Sequence, residues 1–159
     1  MKKKIDDKLT LFYNNLYPYK SKNISKKKNT VTIGIGGNVG NVVKTFKKLF
    51  ICLNKNSNFH IIKTAPILKN PPFGYKYQEY FFNSIIVLKT DLNPQRCLKV
   101  FQRYENRFKR ERSFKDAPRT LDIDIIFFNL SKIDTKDLII PHIGYKSRDS
   151  VRIPLKLLK

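Results

Sequence analysis

Lys115-Asp116-Ala117-Pro118-Arg119-Thr120-Leu121-Asp122-Ile123-Asp124-Ile125-Ile126-Phe127-Phe128 is the stretch on which fold and chemistry both turn. Its second half is rich in β-branched and aromatic residues and reads as a buried strand. Side chains on a strand alternate faces, so Asp122 and Asp124 project from one side with Thr120 and Ile126, while Leu121, Ile123 and Ile125 take the other. Two carboxylates this close on an apolar strand repel each other and resist desolvation. A multivalent cation relieves both costs, and Mg²⁺ is usually held by one or two carboxylates plus substrate phosphates. Arg119 adds a planar donor fork suited to phosphate. The plainer alternative is a solvent-facing edge strand whose acids meet nearby lysines. Against it, the chain has 12 acidic residues to 33 basic ones, so acids paired inside an apolar run are harder to regard as incidental.

The 159 residues suit one domain with a real core. A hydrophobic content of 41% argues for a folded chain rather than a disordered one. The net charge of +21 predicts attraction to polyanions without choosing among nucleotides, nucleic acid and anionic membranes. Cys52 and Cys97 are the only cysteines, which suggests no disulfide framework. The apolar runs are too short to span a bilayer, and Asn14, Asn15 and Pro18 break the N-terminal one. No membrane association and a cytoplasmic setting are therefore expected.

Residues 1–30 hold nine lysines and two aspartates and are read as a basic N-terminal extension. Leu9, Leu11, Phe12, Leu16 and the tyrosines around them allow a short docking helix, but a mobile arm is preferred. Val31–Ile35 reads as a first strand. A Gly36–Asn41 turn leads into a helix over Val42–Leu53, and a tight turn is preferred to a phosphate cradle because the spacing is neither the dinucleotide fingerprint nor a P-loop. Phe59–Ala65 is a second strand. Pro66 and the Lys69–Gly74 segment are expected to form an irregular loop. Tyr80–Lys89 is a third strand whose one amide, Asn83, needs partners if buried. Asn93-Pro94 starts a helix running to about Phe108. A basic stretch from Arg107 to Lys115 then precedes the acidic strand, and residues 134–138 read as a loop.

Strand, helix, strand, strand, helix, strand is the ferredoxin-like βαββαβ pattern: an α+β fold with an antiparallel sheet and helices packed on one face. The acidic strand is expected at the centre of that sheet, its free side the floor of a site.

These residues together resemble the 6-hydroxymethyl-7,8-dihydropterin pyrophosphokinase family of folate biosynthesis. Lys115–Ile126 fits that family's signature at every position. Gly36-Gly37-Asn38-Val39-Gly40, Asn70-Pro71-Pro72-Phe73-Gly74 and Phe81-Phe82-Asn83 look like its supporting motifs, and Pro141-His142, Arg148 and Pro154-Leu155 keep its downstream spacing. The likeness covers about residues 31–155 and marks 31–159 as the pyrophosphokinase domain. It implies ATP and 6-hydroxymethyl-7,8-dihydropterin as substrates, transfer of the pyrophosphoryl group to the pterin hydroxyl, and release of AMP. It implies Asp122 and Asp124 as ligands of two Mg²⁺ ions and, with Arg110 and Arg119, as the catalytic set. Glu105, Arg110, Arg112, Lys115, Arg119, His142 and Arg148 are implied on the ATP side. Asn70, Pro71, Phe73, Phe81 and Asn83 are implied on the pterin side. Ser150 stands where many members carry a second pterin-stacking aromatic, Asp116 where many carry another aromatic, and Asp137 where some carry a basic nucleotide contact.

Two other readings compete. An RNA-binding module would suit a ferredoxin-like sheet with this charge, but it wants aromatics, not acids, on the open face. A degenerate family member kept for partner binding is the other. Nucleic acid is not expected to be the physiological partner.

Overall fold

The segment Asn29-Thr-Val-Thr-Ile-Gly-Ile-Gly-Gly37 is a run of β-branched residues and glycines, and in the computed structural model, which describes all 159 residues, it forms the inner strand β4. Val31, Ile33 and Ile35 point into the main core and are buried. Antiparallel partners flank it: β7 (Phe81–Thr90) from Asn29↔Thr90 to Gly37↔Phe82, and β8 (Asp122–Phe128) from Val31↔Phe128 to Gly36↔Asp122. On its other side β7 meets β5 (Phe59–Thr64) and then β6 (Ile67–Asn70), two halves of a bent edge interrupted at Ala65-Pro66. β6 lies in the segment expected to be irregular: Pro66 breaks the strand but does not end it.

Helices α1 (Val42–Lys55) and α2 (Pro94–Arg107) start on Asn41 and Asn93, whose side chains accept from the Lys44 and Arg96 amides. They bury Phe46, Leu49, Leu53, Cys97 and Phe101 against one face of the sheet. The α+β antiparallel architecture is thus as expected, with one addition. A third, short helix, α3 (Asp149–Lys156), lies on the opposite face, where Val151 packs with Ala65, Ile85, Val87 and Ile126. A two-stranded hairpin, β9 (Ile133–Asp134) with β10 (Ile139–Ile140), replaces the expected plain loop over 134–138.

Two further expectations are corrected. The acidic strand β8 is not central; it ends the sheet, paired only to β4. Its outer edge is closed instead by side chain and loop: the Glu105 carboxylate accepts from the Ile123 N–H at 3.0 Å, and the His142 N–H donates to the Ile126 carbonyl. Residues 1–30 are neither a free arm nor a helix. They form β1 (Lys2–Lys4), β2 (Thr10–Phe12) and β3 (Tyr19–Lys20), which run along the bent edge as β1–β2–β6 and β3–β5 pairs. Tyr17 is completely buried, donates its hydroxyl to the Phe46 carbonyl at 2.8 Å, and lies against the rings of Phe46 and Phe50. Leu11, Phe12, Leu16, Tyr17 and Tyr19, buried or packed against the core, outweigh the segment's lysines, which stay in water. No helix is long and apolar enough to cross a membrane.

Candidate active site

β8 carries Asp122 and Asp124 on the same side, as its alternation requires, because the register shift against β4 opposite Ile125–Phe127 lies beyond both acids. They face a cleft on the α3 side of the sheet. Across from them, Gly36 of β4 has no room for a side chain: a Cβ there would come 2.6 Å from Asn83 Oδ1 and 3.7 Å from Asp122 Oδ2. The absent methyl keeps the cleft floor low.

The two acids are held differently. Asp122, 16% exposed, has Oδ2 3.0 Å from Arg119 Nη1. Asp124 is 55% exposed, and the one basic side chain within reach is His142, Nε2 to Oδ2 at 3.9 Å. Desolvation in the cleft, then the adjacent Asp122 carboxylate and Glu105, push the Asp124 carboxyl well above the ordinary carboxylate range. With over half the side chain open to water, the like-charge pair is the firmer cause. His142 Nδ1 accepts from the Gly144 N–H at 3.0 Å, which leaves the Nε2 proton facing Asp124. Burial and the nearby Arg148 guanidinium lower its pKa, so it stays a neutral donor. Two oxygen-donor groups on one strand, one scarcely engaged and short of positive charge, fit a hard divalent cation that takes its remaining ligands from phosphate and water.

One wall of the cleft is amide and aromatic. Asn83 Nδ2 donates to Asn70 Oδ1 at 2.7 Å, and Asn70 Nδ2 donates to the Pro71 carbonyl. The partner that Asn83 requires is thus a second amide. Phe81 lines the same wall beneath the Arg119 guanidinium, 5.0 Å from the ring centroid. Phe73, 60% exposed, carries Arg148 at 4.2 Å. Pro71 stands apart, bordering an adjoining hollow with Leu9 and Ser150.

The other wall is basic. Arg110, Arg112, Lys115 and Arg119 line a pocket that shares Arg119 and Asp116 with the cleft. Glu105 faces none of this space. It is 3% exposed, pairs with Arg110 Nη1, meets Arg112 Nη2 at 2.8 Å, and takes the Ile123 amide. Burial raises its pKa, opposed mainly by Arg110. Its contacts are with Arg110, Arg112 and the β8 backbone.

Several site residues escaped the sequence reading. Asn38 accepts from the Arg119 N–H and donates to Gln78 Oε1 and the Glu79 carbonyl; Gln78 in turn donates to the Asp116 carbonyl. One amide therefore ties the glycine turn, the aromatic loop and the signature loop together. An asparagine within a glycine turn was the available signal. An apolar slot beyond Asp124 and His142, lined by Leu98, Ile125, Leu138, Ile139 and Ile143, had none, because its residues come from three separate segments.

Acids on the floor beneath a bank of arginines suit transfer of a phosphate-type group, where catalysis rests on positioning and charge neutralisation. Fold and site define that class of protein. The chain belongs to the 7,8-dihydro-6-hydroxymethylpterin-pyrophosphokinase family, whose model matches residues 32–159. It is 39% identical over 142 residues to the 2-amino-4-hydroxy-6-hydroxymethyldihydropteridine pyrophosphokinase of Campylobacter jejuni, covering 89% of this chain and 90% of that one. It is 44% identical over 131 residues to the Helicobacter pylori enzyme of the same name, covering 81% and 80%. The Bacillus subtilis enzyme is 34% identical over 127 residues, with 80% and 76% covered. The Campylobacter match takes in more of the chain than residues 32–159 make up, so it runs into the N-terminal segment.

Proposed function

We propose that the protein transfers the pyrophosphoryl group of ATP to the hydroxyl of 6-hydroxymethyl-7,8-dihydropterin, giving the pterin diphosphate and AMP in folate biosynthesis. The observation that carries this is the Asp122–Asp124 pair facing one cleft between an amide–aromatic wall and an arginine wall. Arg110, Arg112, Lys115 and Arg119 take the triphosphate, each adding a charge-assisted donor. The apolar slot beyond His142 takes the base, and the His142 Nε2–H and Arg148 lie between base and phosphates. Asn83 and Asn70 read the amide edge of the pterin, and Phe81 and Phe73 offer ring faces once their arginines turn to phosphate. The pterin hydroxyl oxygen bonds to the β-phosphorus, the bond from that phosphorus to the α–β bridging oxygen breaks, and the hydroxyl proton passes to solvent. Asp122 and Asp124 would hold Mg²⁺, two ions by the family likeness, which when bound neutralises phosphate charge beside the attacking oxygen. Residues 31–159 form the catalytic domain, and its setting is the cytoplasm.

An RNA-binding role is not favoured, since α3 and the acids occupy the sheet face it needs. The test is AMP release by the purified chain with ATP, Mg²⁺ and the pterin. AMP that appears only when all three are present is expected; ADP as the product, or no turnover, overturns the assignment.

A further inference from the structure

The pterin-side residues hang on a slight support. β6 is four residues long, and its pairing with β7 covers Leu68↔Asn83, Lys69↔Phe82 and Asn70↔Phe81. Asn70, at its end, positions the Asn83 amide and leads directly into Pro71 and Phe73. A strand this short, paired on one side, is poorly held by itself.

The N-terminal hairpin supplies the other side. β2 pairs with β6 through Phe12↔Ile67, Leu11↔Leu68 and Thr10↔Lys69, stopping one residue short of Asn70. Phe12 packs on Phe82 with ring centroids 5.6 Å apart. Phe82 lies between Phe81 and Asn83 in β7 and points to the opposite face, so Phe12 braces the cleft wall from behind. Leu9, at the hairpin's turn, borders the same hollow as Asn70–Phe73 and Ser147–Ser150. The turn is itself ordered: Asp6 Oδ1 accepts from the Lys8 and Leu9 amides, and Leu9 O accepts from Ile5. The hairpin borders neither the arginine pocket nor β8; of the residues assigned to ATP, only Arg148 lines the hollow that Leu9 borders.

We propose that residues 1–12 are a positioning element for the pterin-side wall, acting through β6 and Phe82 and without touching substrate. They lie ahead of the 32–159 stretch that the family model matches. The proposal rests on the pterin–ATP reading above. It makes the hairpin selective: losing it weakens the hold on the pterin and leaves that on ATP.

The test compares the full chain with a deletion of residues 1–12, which retains Tyr17 and β3, and with the point variants Phe12→Ala and Leu9→Ala. AMP release is followed while each substrate is varied separately. The expected result is a KM for the pterin raised about tenfold in the deletion, equivalent to roughly 1.4 kcal/mol. Smaller rises follow in the point variants, and the KM for ATP stays within about twofold. Unchanged pterin KM overturns the proposal, and so does a parallel rise in both KM values, which marks general loosening. If the deletion fails to fold, the two point variants decide by the same criterion. Absence of AMP release from the intact chain fails the functional reading instead, so the two failures are told apart.

Discussion

The cleft has two flanks, and each is the edge of a strand that had to be closed. At β8 the spare amide of Ile123 goes to a buried carboxylate, which also grips Arg110 and Arg112. At β6 the spare backbone goes to another strand, β2. An open edge is a hazard in either case, but the solutions differ in kind. On the β8 flank the closing group is charged, so closing the edge and aiming the arginines proposed for the triphosphate are one event. On the β6 flank the closing group is backbone and apolar, so it can set shape only. The difference predicts that damage at β8 strikes the chemical step and damage at β6 strikes binding of the planar substrate.

The sharpest way to break that contrast is at the acids. Asp124→Ala is expected to lower kcat on the order of 10³-fold, as loss of one preorganised charge-stabilising group does, with the melting temperature nearly kept because the side chain is largely open. AMP release and thermal unfolding measure the two. A near-normal kcat would remove Asp124 from the machinery. The same carboxylate adds a pH dependence. Its pKa is raised, so on acidification it takes up its proton earlier than an ordinary aspartate, and a cation must displace that proton. Mg²⁺ affinity, measured by calorimetry with a non-hydrolysable ATP analogue, should fall as pH drops from neutral, and Asp124→Asn should flatten that slope.

Glu105 comes next. Glu105→Ala strands the Arg110 guanidinium, 14% exposed, beside an unpaired Ile123 amide. Breaking such a buried pair costs about 3 kcal/mol. The exposed Arg112 adds little. Denaturant unfolding reads the loss, and kcat should fall with it while the pterin KM holds. Glu105→Gln keeps an acceptor for the amide and should recover part of the stability but not the aim of the arginines. Full activity in Glu105→Ala would show that the arginines need no anchor.

Much of the β8 flank was legible in the chain because its parts are local. Asp-x-Asp on an apolar strand states its own geometry through the two-residue period, and Arg110, Arg112 and Arg119 all precede it within twelve positions. Its place at the sheet's end was not legible: strand order depends on crossovers that periodicity does not encode, and the group that closes the edge, Glu105, sits a helix away. The Asn70–Asn83 pair was half legible, since a buried amide announces a need for partners but not which ones. Residues 1–30 were misread because their lysines dominate the composition. The alternation that matters, Leu11 and Phe12 and then Tyr17, is too short to show a period, and it gains meaning only when β6 offers an edge.

The smallest effect tests that correction directly. The Tyr17 ring and hydroxyl are fully enclosed, and the hydroxyl's single partner is the Phe46 carbonyl in α1. Tyr17→Phe keeps the ring contacts with Phe46 and Phe50 and removes one buried hydrogen bond, for a loss of about 1 kcal/mol in unfolding free energy. Tyr17 lies under α1, away from both walls of the cleft, so neither KM should move. A free N-terminal arm would leave stability untouched in this variant. A measurable drop with unchanged kinetics separates anchoring, which Tyr17 provides, from the shaping of the pterin wall assigned to residues 1–12.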